Sequence, residues 1–254
     1  MLSKNTITTK SKRRKLNNTV DEVVNNVIPS LFVNQGIKLD RDFYNVPCET
    51  LAKSLLGKIL VRRLDCGTVL KGRIVETECY LGGEDKASHS FNGRRTKGNE
   101  PMYMDPGTAY VYFTYGMYHC FNISSNGPGA AVLLRAVEPF LGLEKMQDHR
   151  KTEKRKKILK VHELCNGPSK LCISFNINKA EFTKADLTVN EHMWIEDDCQ
   201  EQNIQIVTTS RIGIDSAGEE WASKPLRFYI LGNASISKRD KIVEQMIIER
   251  SYFV

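Results

Sequence analysis

The 254-residue sequence has no long hydrophobic run and no clustered cysteines. No stretch approaches the roughly 18 apolar residues that a membrane-spanning helix requires, and the N-terminus lacks the apolar core of a secretory signal. The seven cysteines are scattered without a CxxC pair, so we expect reduced thiols and no disulfide scaffold. These absences favour an intracellular globular protein that does not bind membranes.

The usual metal and cofactor motifs are also missing. The five histidines form neither an HExxH nor an HxH pattern, and Glu78 and His89 could be two metal ligands but no third stands at a suggestive spacing. The sequence contains no P-loop, no GxGxxG after a strand and no GxSxG elbow. We therefore predict no metal site and no cofactor.

Acidic residues are absent from the first 20 positions, which hold six lysines and arginines. The formal net charge of the chain is +7, so removing these six leaves +1 for the rest. The stretch KSKRRKL at 10–16 is typical of a nuclear localisation signal and predicts a nuclear protein. The alternative is a solvated arm that does not direct localisation. Residues 1–37 are polar and aperiodic, and we expect them to form a basic, disordered tail.

Residues 38–254 show the mixed periodicity of a single α+β domain. We predict a curved, mostly antiparallel β-sheet with a protruding β-hairpin and surrounding helices. Helices are expected from Glu49, over 140–163 and over 238–252. Alternation predicts strands over 58–63, 68–78, 108–114, 117–124, 130–137, 204–208 and 226–231.

The stretch IVETECYLGGEDKASH at 74–89 combines strand periodicity with charged side chains. In a strand Glu76, Glu78 and Tyr80 share one face. Burying a polar group without a hydrogen-bond partner costs about 2–7 kcal/mol, and burying an unpaired carboxylate costs more. We therefore expect this face to meet solvent or a site rather than the core.

The hairpin sequence AYVYFTYGMYHCFN holds six aromatic side chains. Strand aromatics usually pack in the core or across strands, and that alternative stays open for each of them. Tyr115 differs because it stands beside Gly116 at the predicted turn, where a side chain projects outward. An amphipathic ring in that position is suited to wedge between base pairs.

Basic side chains cluster in two further places. Arg94, Arg95 and Lys97 lie in a long Gly- and Pro-rich loop over 82–107, and 150–160 holds seven lysines and arginines against Glu153. Either cluster could contact DNA phosphates or form a solvated face.

One chemistry accommodates these features together. A base inside duplex DNA must be rotated out before a catalytic group can reach it. The extruded base needs flat faces to stack on, which Tyr80, His89 and Tyr112 could supply. A carboxylate such as Glu78 can activate water and stabilise the oxocarbenium-like transition state of N-glycosidic bond cleavage.

Five stretches carry a resemblance to a known family: GRIVETECYLG, PGTAYVYFTYGMYHCFNISS, AAVLLRAVEP, NGPSKLC and KPLRFY. In order and approximate spacing they resemble the alkyladenine (3-methyladenine, methylpurine) DNA glycosylases, from about Leu39 to about Tyr229. The resemblance implies a monomeric enzyme that flips 3-methyladenine, 7-methylguanine or hypoxanthine out of double-stranded DNA and hydrolyses the N-glycosidic bond, starting base excision repair.

The resemblance also implies roles for individual residues. Glu78 matches the catalytic base and Arg135 its partner. The residues matching the substrate pocket are Tyr80, His89, Tyr112, Asn122 and Leu133. Asn122 matches the asparagine whose side chain crowds the 2-amino group of guanine and so rejects normal guanine. The residues matching DNA contacts are the wedge Tyr115 with Met117 beside it, Arg150 and Lys170.

Two details qualify the resemblance. Cys79 stands where the vertebrate relatives are expected to have alanine. No lysine is expected in the pocket, so the sequence predicts a monofunctional enzyme without lyase activity. Two other functions remain to be weighed: a non-catalytic nucleic-acid binder, and a glycoside hydrolase that uses Glu76 and Glu78.

Overall fold

Within the residues that it describes, 36–152, 158–197 and 204–251, the computed structural model contains a nine-stranded antiparallel sheet. Residues 1–35 of the predicted N-terminal tail, which include KSKRRKL, lie outside this part of the chain, whereas its last residue, Ile37, begins the first strand. The strands are β1 (Ile37–Lys38), β2 (Ile59–Arg63), β3 (Val69–Tyr80), β4 (Ala109–Thr114), β5 (Tyr118–Ser124), β6 (Ala131–Leu141), β7 (Met193–Asp197), β8 (Ile206–Thr209) and β9 (Arg227–Ile230).

The long strands β3 and β6 are paired at the centre of the sheet. The strand order is β1-β7-β2-β3-β6-β5-β4, and β9 joins the second half of β3 and carries β8 on its other side. Glu78 lies opposite Leu133, and Leu133 lies opposite Asn122, so these three residues share one face across three strands. The register alone therefore collects predicted site residues from distant parts of the sequence.

Short helices pack around the sheet and complete the core. Two of them begin at side-chain caps, where Asp40 accepts from the amide of Phe43 and Asn178 accepts from the amide of Glu181. The helices are α1 (Arg41–Tyr44), α2 (Cys48–Ser54), α3 (Leu143–Arg150), α4 (Pro168–Ser174), α5 (Lys179–Phe182), α6 (Glu219–Ser223) and α7 (Lys241–Ser251). Single 3₁₀ turns occupy Phe91–Gly93, Glu100–Tyr103, Val161–Glu163 and Asp215–Ala217.

The predicted fold class, α+β with a curved antiparallel sheet and a protruding hairpin, is confirmed. The helix expected over 140–163 is wrong at both ends, because β6 runs to Leu141 and α3 covers only Leu143–Arg150. Gly142 separates them with a φ of 78°, which glycine adopts without strain. Strands β1 and β7 and helices α1, α4, α5 and α6 were not predicted.

The described residues from Ile37 onward form one compact unit. Its main core lies between the sheet and the helices and includes the fully buried rings of Tyr44, Phe121, Phe175 and Phe228. No helix in the described ranges combines the length and apolar character needed to traverse a bilayer.

Candidate active site

A cavity of about 460 Å³ lies where the hairpin β4–β5 meets β3 and β6. That volume falls in the range of about 300–1,000 Å³ common for small-molecule sites. Several predicted site residues line it: Tyr80, His89, Tyr112, Tyr115, Asn122, Leu133 and Arg135. The loop Ile212–Ala217 forms another part of its wall, and sequence reasoning assigned that loop no role.

Aromatic side chains from the hairpin and from the loop after β3 converge at this cavity. The His89 and Tyr112 rings lie 4.6 Å apart between centroids, and those of Tyr110 and Tyr112 lie 5.4 Å apart. The Tyr110 hydroxyl and His89 Nδ1 are hydrogen-bonded at 2.8 Å, which fixes the imidazole plane. Partial burial, together with the nearby Arg94 cation, lowers the pKa of His89 and favours the neutral ring.

The carboxylate of Glu78 is fully buried directly behind the side chains that line the cavity. It accepts hydrogen bonds from the Tyr80 hydroxyl at 3.0 Å and the Ile212 amide at 2.8 Å, and Arg135 Nη1 lies 3.1 Å from its Oε2. All three partners line the cavity, whereas Glu78 itself does not. Burial, followed by the charge of Glu78, raises the pKa of Tyr80 well above its usual value and keeps its hydroxyl a donor.

The face of β3 that carries Glu76, Glu78 and Tyr80 meets the cavity through Tyr80. Glu76 and Glu78 themselves are fully buried, which is tolerated because Arg135 pairs with both carboxylates and Arg227 also pairs with Glu76. Glu76 Oε1 accepts from Arg135 at 3.1 Å, from Arg227 at 2.9 Å and from the Ser237 hydroxyl at 2.8 Å. Burial alone disfavours the Arg135 cation, but Glu78 and Glu76 outweigh it and raise the pKa of the guanidinium.

A second buried ion pair supports the Tyr80 ring, and sequence reasoning missed it. Arg211 binds both oxygens of Asp85, at 2.6 and 2.9 Å, and donates to the Cys79 carbonyl at 3.0 Å. Its guanidinium lies over the Tyr80 ring, 4.8 Å from the centroid. The only sequence signal was a charged residue directly before the cavity-lining loop.

The hairpin turn projects its side chains into solvent. Tyr115 and Gly116 both have positive φ, 52° and 65°, as in the tight turns that join two strands. A tyrosine rarely adopts this conformation, which is typical of functional positions. Tyr115 is 86% exposed and Met117 is 67% exposed, so two apolar groups stand at the tip without protein contacts over most of their surface.

Two pocket residues are held within the sheet. Asn122 is 4% exposed, and its amide nitrogen donates to the Tyr110 carbonyl at 3.2 Å. Leu133 lies beside it in the register and also faces the cavity. Cys79 points to the opposite face of β3 and packs in the main core, so this departure from the family pattern does not alter the cavity.

Two basic residues predicted to contact DNA occupy different environments. Arg150 is buried and donates to the carbonyls of Glu163 and Leu164, so its guanidinium faces the protein rather than solvent. Lys170 is exposed on α4 and donates to Asn166 at 2.7 Å. The expectation that no lysine lines the pocket is wrong, since the exposed Lys86 borders the cavity.

The described residues contain no group of three or more His, Cys, Asp or Glu side chains arranged to hold a metal ion.

Comparison with known proteins identifies the family. The model for methylpurine-DNA glycosylase matches residues 42–234. The chain belongs to the methylpurine-DNA glycosylase family. It is 50% identical over 212 residues to the human DNA-3-methyladenine glycosylase, covering 82% of this chain and 70% of the human protein.

Other relatives agree with this assignment. The mouse DNA-3-methyladenine glycosylase is 50% identical over 214 residues, 82% of this chain and 64% of the mouse protein. The probable DNA-3-methyladenine glycosylase of Encephalitozoon cuniculi is 49% identical over 192 residues, 76% of this chain and 89% of that protein. The chain thus spans about two thirds of the length of its mammalian relatives. Membership of the methylpurine-DNA glycosylase family confirms the predicted enzyme class, a DNA glycosylase.

Proposed function

We propose that this chain is a monofunctional DNA glycosylase that extrudes 3-methyladenine, 7-methylguanine and hypoxanthine from double-stranded DNA and hydrolyses the N-glycosidic bond. The observation that carries the proposal is the aromatic cavity at the base of the hairpin, whose wall includes Arg135, paired with the buried Glu78. Flat rings accommodate a purine, and the carboxylate supplies the base catalyst.

Glu78 is the proposed general base. Water loses a proton to the carboxylate, its oxygen bonds to the anomeric carbon, and the electrons of the broken C–N bond leave with the purine. A water that takes the place of the Tyr80 hydroxyl on Oε2 would reach the carboxylate from the cavity side, because Tyr80 lines the cavity and bonds to that oxygen. Arg135 orients the Glu78 carboxylate through the 3.1 Å ion pair between Nη1 and Oε2.

Tyr115 is the proposed wedge that fills the gap left by the extruded nucleotide, with Met117 beside it. Side chains that unstack a base step act from exposed, projecting positions, which matches the 86% exposure of Tyr115. Tyr80, His89 and Tyr112 then provide the faces for the purine, which requires the His89 and Tyr112 rings, 4.6 Å apart between centroids, to separate to about 7 Å.

Asn122 and Leu133 are the proposed selectivity residues. Both are buried and line the cavity, so a purine with an extra 2-amino group meets side chains that cannot withdraw. Unmodified guanine is thereby disfavoured. 7-Methylguanine keeps the 2-amino group but is still released, because its positive charge weakens the glycosidic bond and strengthens its contact with the electron-rich rings of the pocket.

Lys170 is a proposed phosphate contact, because it is exposed on α4 near the cavity-lining Pro168 and Ser169. Arg150 is not favoured for the same role in this conformation. We further propose a nuclear, monomeric protein whose substrate is damaged double-stranded DNA, on the basis of KSKRRKL at 10–16 and the activity.

The proposal is tested by incubating the chain with methylated duplex DNA and measuring free 3-methyladenine. Release of the base with an intact strand supports it. Strand cleavage or borohydride trapping of an enzyme–DNA adduct would show that an amine acts as a nucleophile, and loss of trapping in Lys86→Gln would identify it as Lys86. Binding without release would identify a non-catalytic binder. The glycoside hydrolase alternative is disfavoured because Glu76 and Glu78 share Arg135 on one face instead of flanking a bond.

A further inference from the structure

The Tyr80 ring separates the cavity from a buried cation. Tyr80 lines the cavity, whereas Arg211 does not, and the Arg211 guanidinium lies 4.8 Å from the ring centroid. A cation on one face of an aromatic ring draws on the same π-electrons that the other face would offer to a second cation. The strength with which the Tyr80 ring attracts a cation in the cavity therefore depends on the Arg211 guanidinium behind the ring.

The cation behind the ring is held in place and remains charged. Arg211 and Asp85 are both fully buried and form a bidentate pair, and Asp85 also accepts from the amides of Leu81 and Ala87. Burial alone disfavours the cation, but Asp85 outweighs it, so the pKa of Arg211 is raised. The pair links the loop after β3 to the loop after β8, and both loops border the cavity.

We infer that the buried pair of Arg211 and Asp85 is a specificity determinant, which sets how the pocket discriminates between positively charged and neutral damaged purines. The inference rests on the proposed function. With both charges present, the positive end of the pair faces the ring, and the wall attracts a cationic base less strongly than an isolated tyrosine would. The weaker attraction reduces the preference of the pocket for N7-alkylated purine cations, so that neutral hypoxanthine can compete with them for the pocket.

The two members of the pair have opposite predicted effects when they are neutralised. Arg211→Gln removes the cation from the ring, so the wall attracts cationic purines more strongly. Asp85→Asn leaves the cation without its counter-ion, so the wall attracts them less strongly. Arg211→Lys keeps the charge and serves as the matched control for altered packing.

The experiment measures single-turnover release, at saturating enzyme, from two duplexes that carry either 7-methylguanine or hypoxanthine in the same sequence context. The quantity of interest is the ratio of the two rate constants, which is insensitive to the fraction of enzyme that is folded. We expect Arg211→Gln to raise the 7-methylguanine to hypoxanthine ratio about three- to tenfold, the range that corresponds to one cation–π interaction. We expect Asp85→Asn to lower it, and Arg211→Lys to stay near wild-type.

A purely structural role predicts that both neutral variants slow the two substrates equally or shift the ratio in one direction. Either result overturns the inference, and Asp85→Asn decides it alone if Arg211→Gln does not fold. If the wild-type chain releases neither base, the proposed function fails instead, so the two failures are distinguishable.

Discussion

Replacing Glu78 with glutamine tests the catalytic assignment and can be matched with a closely similar control. Glu76 and Glu78 are both fully buried on one face of β3, and each contacts Arg135. With Arg227 they form a network of two carboxylates and two guanidiniums, which carries no net charge. Either glutamine variant leaves one uncompensated buried positive charge, so both should lose similar stability, about 3–5 kcal/mol.

The catalytic consequences of the two variants should differ strongly. A positioned general base contributes about 10²- to 10⁴-fold, so Glu78→Gln should lose at least that factor in base release. Glu76→Gln should retain most of the rate, because its partners Arg227 and Ser237 do not line the cavity and its third partner, Arg135, keeps its ion pair with Glu78. Each kcal/mol lowers the melting temperature of a domain of this size by about 2–4 °C, so thermal denaturation measures the stability loss independently.

The assay is single-turnover release of hypoxanthine from a duplex, at a temperature below both melting transitions, with binding measured separately by fluorescence anisotropy. We expect Glu78→Gln to bind the damaged duplex and release no base. A near wild-type rate for Glu78→Gln together with an inactive Glu76→Gln would refute the assignment of the base.

Three further changes test the wedge, the selectivity and the protonation of the pocket. Tyr115→Ala should leave the melting temperature unchanged, because the side chain is 86% exposed, and should slow base release about 10- to 100-fold, as expected for losing a few kcal/mol of wedge stabilisation. An unchanged rate contradicts the wedge. Asn122→Ser should allow release of guanine from undamaged DNA, detected by chromatography, and continued absence of guanine contradicts the steric role. Since Arg94 contributes to the lowered pKa of His89, Arg94→Ala should raise that pKa toward 6.5, observed by NMR titration. The low-pH loss of 7-methylguanine release, caused by a protonated His89, should then move to higher pH, and a static or falling pKa would contradict the interpretation.

Strand alternation and turn chemistry predicted much of the site. The shared face of Glu76, Glu78 and Tyr80 follows from the two-residue period, and Tyr115 with Gly116 marked the hairpin turn. The family resemblance then connected these local patterns to a chemistry. The structure adds that the three pocket rings and the carboxylate belong to one neighbourhood around a cavity.

The burial of the two carboxylates could not be predicted from the local sequence. Their burial depends on arginines that arrive from elsewhere, such as Arg227, which is 151 positions beyond Glu76. Arg211 likewise meets Asp85 across 126 positions. A sequence pattern shows which residues share a face, but the partner that makes a buried charge tolerable is set by tertiary structure.

The errors over 140–163 have local physical causes. Leu141 still finds a strand partner in Lys71, so the ladder continues where helical periodicity suggested otherwise. Arg150 closes α3 by donating to the carbonyls of Glu163 and Leu164, which draws a side chain from the basic run into the protein. A run of basic residues therefore does not establish that each of them is solvated.

The account is tested most directly by a crystal structure of Glu78→Gln bound to a duplex containing hypoxanthine. We predict the purine outside the helix, stacked between Tyr112 on one side and Tyr80 with His89 on the other, and the Tyr115 ring in the vacated position. A purine that remains stacked in the duplex, or one bound away from this cavity, would contradict the account.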